Sequence, residues 1–135
     1  MNAILLDTNA LTALFRGDHG VMDVLAKAEC IYVSVIVIGE LEAGFRGCSR
    51  YVENLAVIER FLAKPAVVVL PVRRETSDCF GRIKHALKTG GTPIPVNDIW
   101  VAAQCMETGS VLVTYDRHYE AVAGLRLWDA PASGG

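Results

Sequence analysis

The chain has 135 residues, 52% hydrophobic and 21% charged, which fits one globular domain with a substantial core. Thirteen Lys and Arg against fifteen Asp and Glu give a formal charge of −2. That balance excludes a generic nucleic-acid coating protein but leaves room for an enzyme with a basic rim around an acidic centre. The four cysteines, at 30, 48, 79 and 105, are far apart and form no C-x-x-C pair, so neither a zinc ribbon nor a disulfide framework is expected. With no signal-peptide pattern and no apolar run of membrane-spanning length, the expectation is a soluble, cytoplasmic protein.

In chain order, "AILLD" (3–7) reads as the first of five strands. Its apolar residues are continuous rather than alternating, the pattern of a strand covered on both faces. "CIYVS" (30–34) is the second strand and runs directly into "VIVIGELEAGFRG". There Ser34 is read as the N-cap of a helix reaching about Arg46, with a later start as the alternative. "YVENLAVIERFL" puts Tyr51, Leu55, Ile58 and Leu62 on one helical face, and "AVVVLPV" (66–72) is the third strand. "TSDCFGRIKHALKTGG" aligns Phe80, Ile83 and Leu87 and stops at Gly90–Gly91. "NDIWVAAQCMETG" offers Asn97 as N-cap and Gly109 as the stop. "SVLVTYD" (110–116) and "LRLW" (125–128) complete the strands. The alternation predicts an α/β fold with a mainly parallel, five-stranded central sheet in one domain over residues 1–130, followed by "PASGG" (131–135) as a flexible tail.

Ligands of an open α/β sheet gather at the C-terminal ends of its strands, and acids collect there in this sequence. Asp7 ends the first strand, Asp116 ends "VLVTYD", Asp98 opens a helix whose next residues are apolar, and Glu40 sits among small and apolar neighbours. Each acid alone is as readily a turn, a cap or a solvated helix residue. Together they are costly: two like charges about 4 Å apart repel by about 4 kcal/mol at an effective dielectric of about 20. A divalent cation would offset that, and oxygen ligands favour magnesium or manganese over zinc.

The segments "LLDTNAL" (5–11), "IGELEAG" (38–44), "PIPVNDIWVAA" (93–103) and "VLVTYDRHYEAVAGLRL" (111–127), in this order, resemble the PIN-domain family and, within it, the VapC-type toxin ribonucleases. The resemblance implies a three-layer α/β/α sandwich, RNA as substrate, and an acidic quartet of Asp7, Glu40, Asp98 and Asp116 around Mg2+, with Mn2+ as a substitute. Asp7, Asp98 and Asp116 are the implied metal ligands, in one or two ions. Thr8, Asn9 and Thr114 stand behind them as orienting groups, and Glu40 is the candidate to orient or deprotonate water. Hydrolysis of this kind leaves a 5′-phosphate and a 3′-hydroxyl. A homodimer and a VapB-type antitoxin partner are also implied. The alternative is a PIN-like module that binds RNA or protein without cutting.

The other chemistry-bearing residues are read more plainly. His19 lies in "GDHG", read as a loop; His85 is in a charged helix, and His118 follows Arg117 beyond Asp116. No paired-histidine spacing occurs, so surface or structural roles are expected for His19 and His85 and, less firmly, for His118, which lies beside the proposed site. Arg46 and Arg117 are the RNA-contact candidates, because they lie closest in sequence to the acids. No phosphate-cradling glycine loop and no G-x-S-x-G elbow is present.

Overall fold

Ile4, Leu5 and Leu6 are consecutive and each is at most 1% exposed, so the strand that carries them is covered on both faces. This strand is β1 (Ala3–Leu6) in the computed structural model, which describes residues 2–131. It is followed by α1 (Thr8–Phe15), α2 (His19–Lys27), β2 (Cys30–Ser34), α3 (Val35–Arg46) and α4 (Tyr51–Leu62). Next come β3 (Val67–Leu70), α5 (Arg74–Thr89), α6 (Val96–Thr108), β4 (Val111–Val113) and a 3-10 turn over Arg117–Ala121. The sheet is parallel throughout, in the order β3-β2-β1-β4. The crossovers from β1 to β3 step one way across the sheet and the crossover to β4 steps back. Right-handed connections therefore put α5 and α6 on the face opposite α1 to α4, giving the expected α/β/α layering.

Several boundaries differ from the sequence reading, each for a local reason. The sheet has four strands rather than five, because "LRLW" contributes one parallel bridge, Leu112 to Leu127. Leu112 donates to the Arg126 carbonyl and Trp128 donates back to the Leu112 carbonyl, which holds this segment against β4 without extending a ladder. β3 is an edge strand, with Val68 42% and Val69 39% exposed, so its continuous apolar run does not signify cover on both faces. Pro95, not Asn97, stands at the N-cap of α6, since proline at that point already fixes the entry backbone. His19 is the first residue of α2 rather than part of a loop, with Asp18 capping the helix by accepting from the Val21 amide at 2.9 Å. Residues 132–135 of the expected tail lie outside the described residues.

Other expectations hold. Ser34 caps α3 by accepting from the Ile36 amide at 3.0 Å, and Gly109 ends α6 in the left-handed region at φ 68°. α5 packs along α6 through Ile83 and Leu87, and a polar clamp closes the same interface. Thr76, fully buried, accepts from the Arg73 amide at 3.0 Å and donates to Glu107 Oε1 at 2.8 Å, while the Arg73 guanidinium pairs with Glu107 Oε2. This clamp fixes α6, the helix whose other end carries Asp98. Glu107→Ala leaves the Thr76 hydroxyl without its acceptor and is expected to cost about 1–3 kcal/mol. A urea titration followed by far-UV circular dichroism measures it.

Candidate active site

The chain reverses its travel across the sheet between β3 and β4, so the crevice of the fold lies at the C-terminal ends of β1 and β4. Asp7 emerges there from β1 and is only 3% exposed. Its Oδ1 accepts from the Ala10 amide at 3.0 Å, capping α1, and its Oδ2 accepts from the Thr114 hydroxyl at 2.6 Å. Thr114 in turn accepts from the Asp116 amide at 2.9 Å. Asn9 donates to Asp116 Oδ2 at 2.9 Å and accepts from the Tyr115 amide at 3.1 Å. Thr8 donates to Glu40 Oε1 at 2.6 Å, tying α1 to α3. The three polar residues read as orienting groups each touch an acid directly.

All four acids line one cavity of about 500 Å3, together with Thr8, Asn9 and Arg16. Asp98 enters from the first turn of α6, where the helix N-terminus favours a negative charge. Among the described residues no Lys or Arg forms an ion pair with any of the four. Burial pushes the Asp7 carboxyl up to about 6; the charges of Asp116 and Asp98 add to this, and the hydrogen bonds from Thr114 and Ala10 oppose it.

The site also holds residues to which the sequence reading gave no catalytic or metal-binding role. His118 lies in the 3-10 turn with Nε2 2.7 Å from Asp98 Oδ2 and Nδ1 3.8 Å from Asp116 Oδ1. Its neighbour Tyr119 is fully buried, and the hydroxyl sits beside Asp98 without a well-formed hydrogen bond. Burial, and then the charges of Asp7 and Asp98, hold that phenol far above the usual tyrosine range. The signal for His118 was its position two residues after Asp116; its approach to Asp98 needs the turn that brings it back over α6. Arg16 sits at the C-cap of α1, a helix absent from the sequence reading. Of the arginines named from sequence, Arg46 stacks over the Tyr51 ring at 5.0 Å, and Arg117 pairs with Glu120 at 2.8 Å.

The donor set suits a divalent cation. Asp98, Asp116 and His118 each offer one ligand atom, all within 4.8 Å of one another, beside two buried polar atoms that lack hydrogen bonds, His118 Nε2 and Tyr119 Oη. The PIN domain family model matches residues 4–125. The chain belongs to the PIN-domain family. Within that family it is of VapC type. Ribonuclease VapC2 of Haemophilus influenzae is 32% identical over 127 residues, covering 90% of this chain and 93% of that protein. Ribonuclease VapC1 of the same species is 26% identical over 130 residues, covering 93% and 96%. The DNA-bound VapBC structure from Salmonella typhimurium superposes with a TM-score of 0.85 at 26% identity, covering 96% of this chain and 98% of that one.

In this PIN domain the raised Asp7 pKa has a cost for the metal-free protein. A carboxyl whose folded pKa lies above its unfolded value of 3.8 destabilises the fold as pH rises from about 4, and the full penalty applies above about 6. For a change of this size the penalty is about 3 kcal/mol. Asp7→Asn is therefore expected to stabilise the metal-free protein by about 1–3 kcal/mol near neutral pH, and by less as the pH falls toward 5. Denaturant titrations of both proteins in chelator across that range measure the difference.

Proposed function

We propose that this PIN-domain protein is a Mg2+- or Mn2+-dependent endoribonuclease, the toxin of a VapBC-type toxin–antitoxin pair. The observation that carries the reading is the convergence of Asp7, Glu40, Asp98 and Asp116 on one cavity, with no Lys or Arg ion-paired to any of them among the described residues. The names of its VapC relatives support a ribonuclease, and the solved VapBC complex supports a VapB-type antitoxin partner.

A bound divalent ion supplies Lewis acidity toward a phosphate oxygen and the attacking water. Asp7, Asp98 and Asp116 would hold it, with Thr114 and Asn9 fixing the carboxylates of Asp7 and Asp116. Glu40, held through Oε1 by Thr8, is the group to orient the water or accept its proton. Attack in line with the departing 3′-oxygen leaves a 5′-phosphate and needs no 2′-hydroxyl. Arg16 is the basic residue lining the cavity, and it would meet the RNA backbone there; Arg46 and Arg117 would extend that contact outward. A homodimer is favoured by the exposed valines Val68, Val69 and Val72 along and just past the β3 edge, which a second copy would cover.

Purified, antitoxin-free protein incubated with total cellular RNA is expected to give discrete products only with Mg2+ or Mn2+, and Asp98→Asn is expected to give none. Intact RNA from folded, metal-loaded wild type would favour a binding module instead. Arg16→Ala is expected to weaken RNA affinity and reduce the slope of log affinity against log salt by about 0.7, the loss of one single-strand phosphate contact. Binding of labelled RNA in chelator at several salt concentrations reads both effects.

A further inference from the structure

His118 occupies a position that an ordinary ion pair does not explain. Its side chain is 32% exposed overall, yet Nε2 is shut from solvent. That atom is 2.7 Å from Asp98 Oδ2 without the alignment of a hydrogen bond. An imidazole N–H turned away from a carboxylate at that distance wastes the interaction. A deprotonated nitrogen there puts its lone pair against the carboxylate's. Either arrangement is relieved by a cation that both atoms face. Two ligand atoms about 2.1 Å from one ion and at right angles are about 3 Å apart, close to the separation here. The ring is held in place: Tyr119 packs against it with centroids 4.8 Å apart, and Nδ1 faces Asp116 Oδ1 at 3.8 Å. Asp7 carries one hydrogen bond on each oxygen, which leaves each a lone pair for an ion, and among the described residues Asp98, Asp116 and His118 offer ligand atoms within 4.8 Å of one another.

We infer that His118 is a nitrogen ligand of the divalent ion through Nε2, beside Asp98 and Asp116, and that this mixed nitrogen–oxygen site binds Mn2+ in preference to Mg2+. The inference rests on the metal-dependent reading above and goes beyond it in naming the ligand and the preferred ion. An all-oxygen site suits Mg2+, which holds its waters and accepts nitrogen poorly; one imidazole shifts the balance toward first-row transition ions. The inference adds a single histidine, brought in by a turn, to the oxygen ligands Asp7, Asp98 and Asp116 expected from the sequence.

Electron spin-echo measurements on the Mn2+-loaded protein test this without reference to cleavage. The expected result is a 14N modulation from directly bound imidazole, altered when the protein is grown with 15N-histidine and absent in His118→Gln. In calorimetric titrations the same substitution is expected to lower Mn2+ affinity at least about tenfold, and Mg2+ affinity several times less. The wild-type spectrum decides the matter even if the variant folds poorly. Mn2+ bound with no nitrogen coupling, coupling that persists in His118→Gln, or equal losses for both ions would each overturn the inference alone. Failure of folded wild type to bind Mn2+ would overturn it together with the reading on which it rests.

Discussion

One buried carboxylate, that of Asp7, ties the end of β1 to two other parts of the molecule. Through Oδ1 it caps α1, and through Oδ2 it accepts the hydroxyl of Thr114 beyond β4. Capping alone could be done by an exposed side chain at little cost. Here the acid is 3% exposed and close enough to Asp98 and Asp116 to feel both charges. Folding therefore brings a buried carboxylate close to Asp98 and Asp116, and burial leaves Asp7 poorly screened. Under the proposed function a divalent cation would offset that charge, and the placement of the other acids suits such an ion.

The topology makes the convergence possible. With β1 flanked by β2 and β4, three parallel strands deliver their C-terminal ends to one side of the sheet. Asp7 follows the first, α3 with Glu40 follows the second, and Thr114 and Asp116 follow the last. Asp98 comes from α6, whose position is set at its far end by the clamp of Glu107 with Thr76 and Arg73. Along α6, Glu107 near the C-terminus is paired with Arg73, whereas Asp98 at the N-terminus has no Lys or Arg partner among the described residues.

Much of this was legible in the sequence because buried parallel strands write themselves as unbroken apolar runs, and because the acids interrupt those runs. The Ser34 and Gly109 helix limits were legible for the same kind of local reason, a capping hydroxyl and a residue able to take positive φ. Where the reading fell short, long-range geometry decided. "LRLW" has the composition of a strand, but only Leu127 meets β4 in register. The run "TNALTALF" follows the strand read at 3–7 and was assigned no element, so Arg16 at its end was overlooked. His118 needed the 3-10 turn to bring it against Asp98, a contact between residues far apart in sequence that no spacing rule announces. Asn97 was favoured as a cap by residue type, whereas Pro95 had already set the backbone.

The most direct test of the central claim, that the converged acids form a cation site, is the thermal unfolding midpoint of the purified protein with and without Mg2+ or Mn2+ near neutral pH. An ion that binds only the folded state stabilises it by about 2.7 kcal/mol at a hundredfold excess over its dissociation constant. The account predicts a clear rise in the midpoint that is lost in Asp98→Asn. A midpoint that neither ion moves, in wild-type protein shown to be folded, would contradict it.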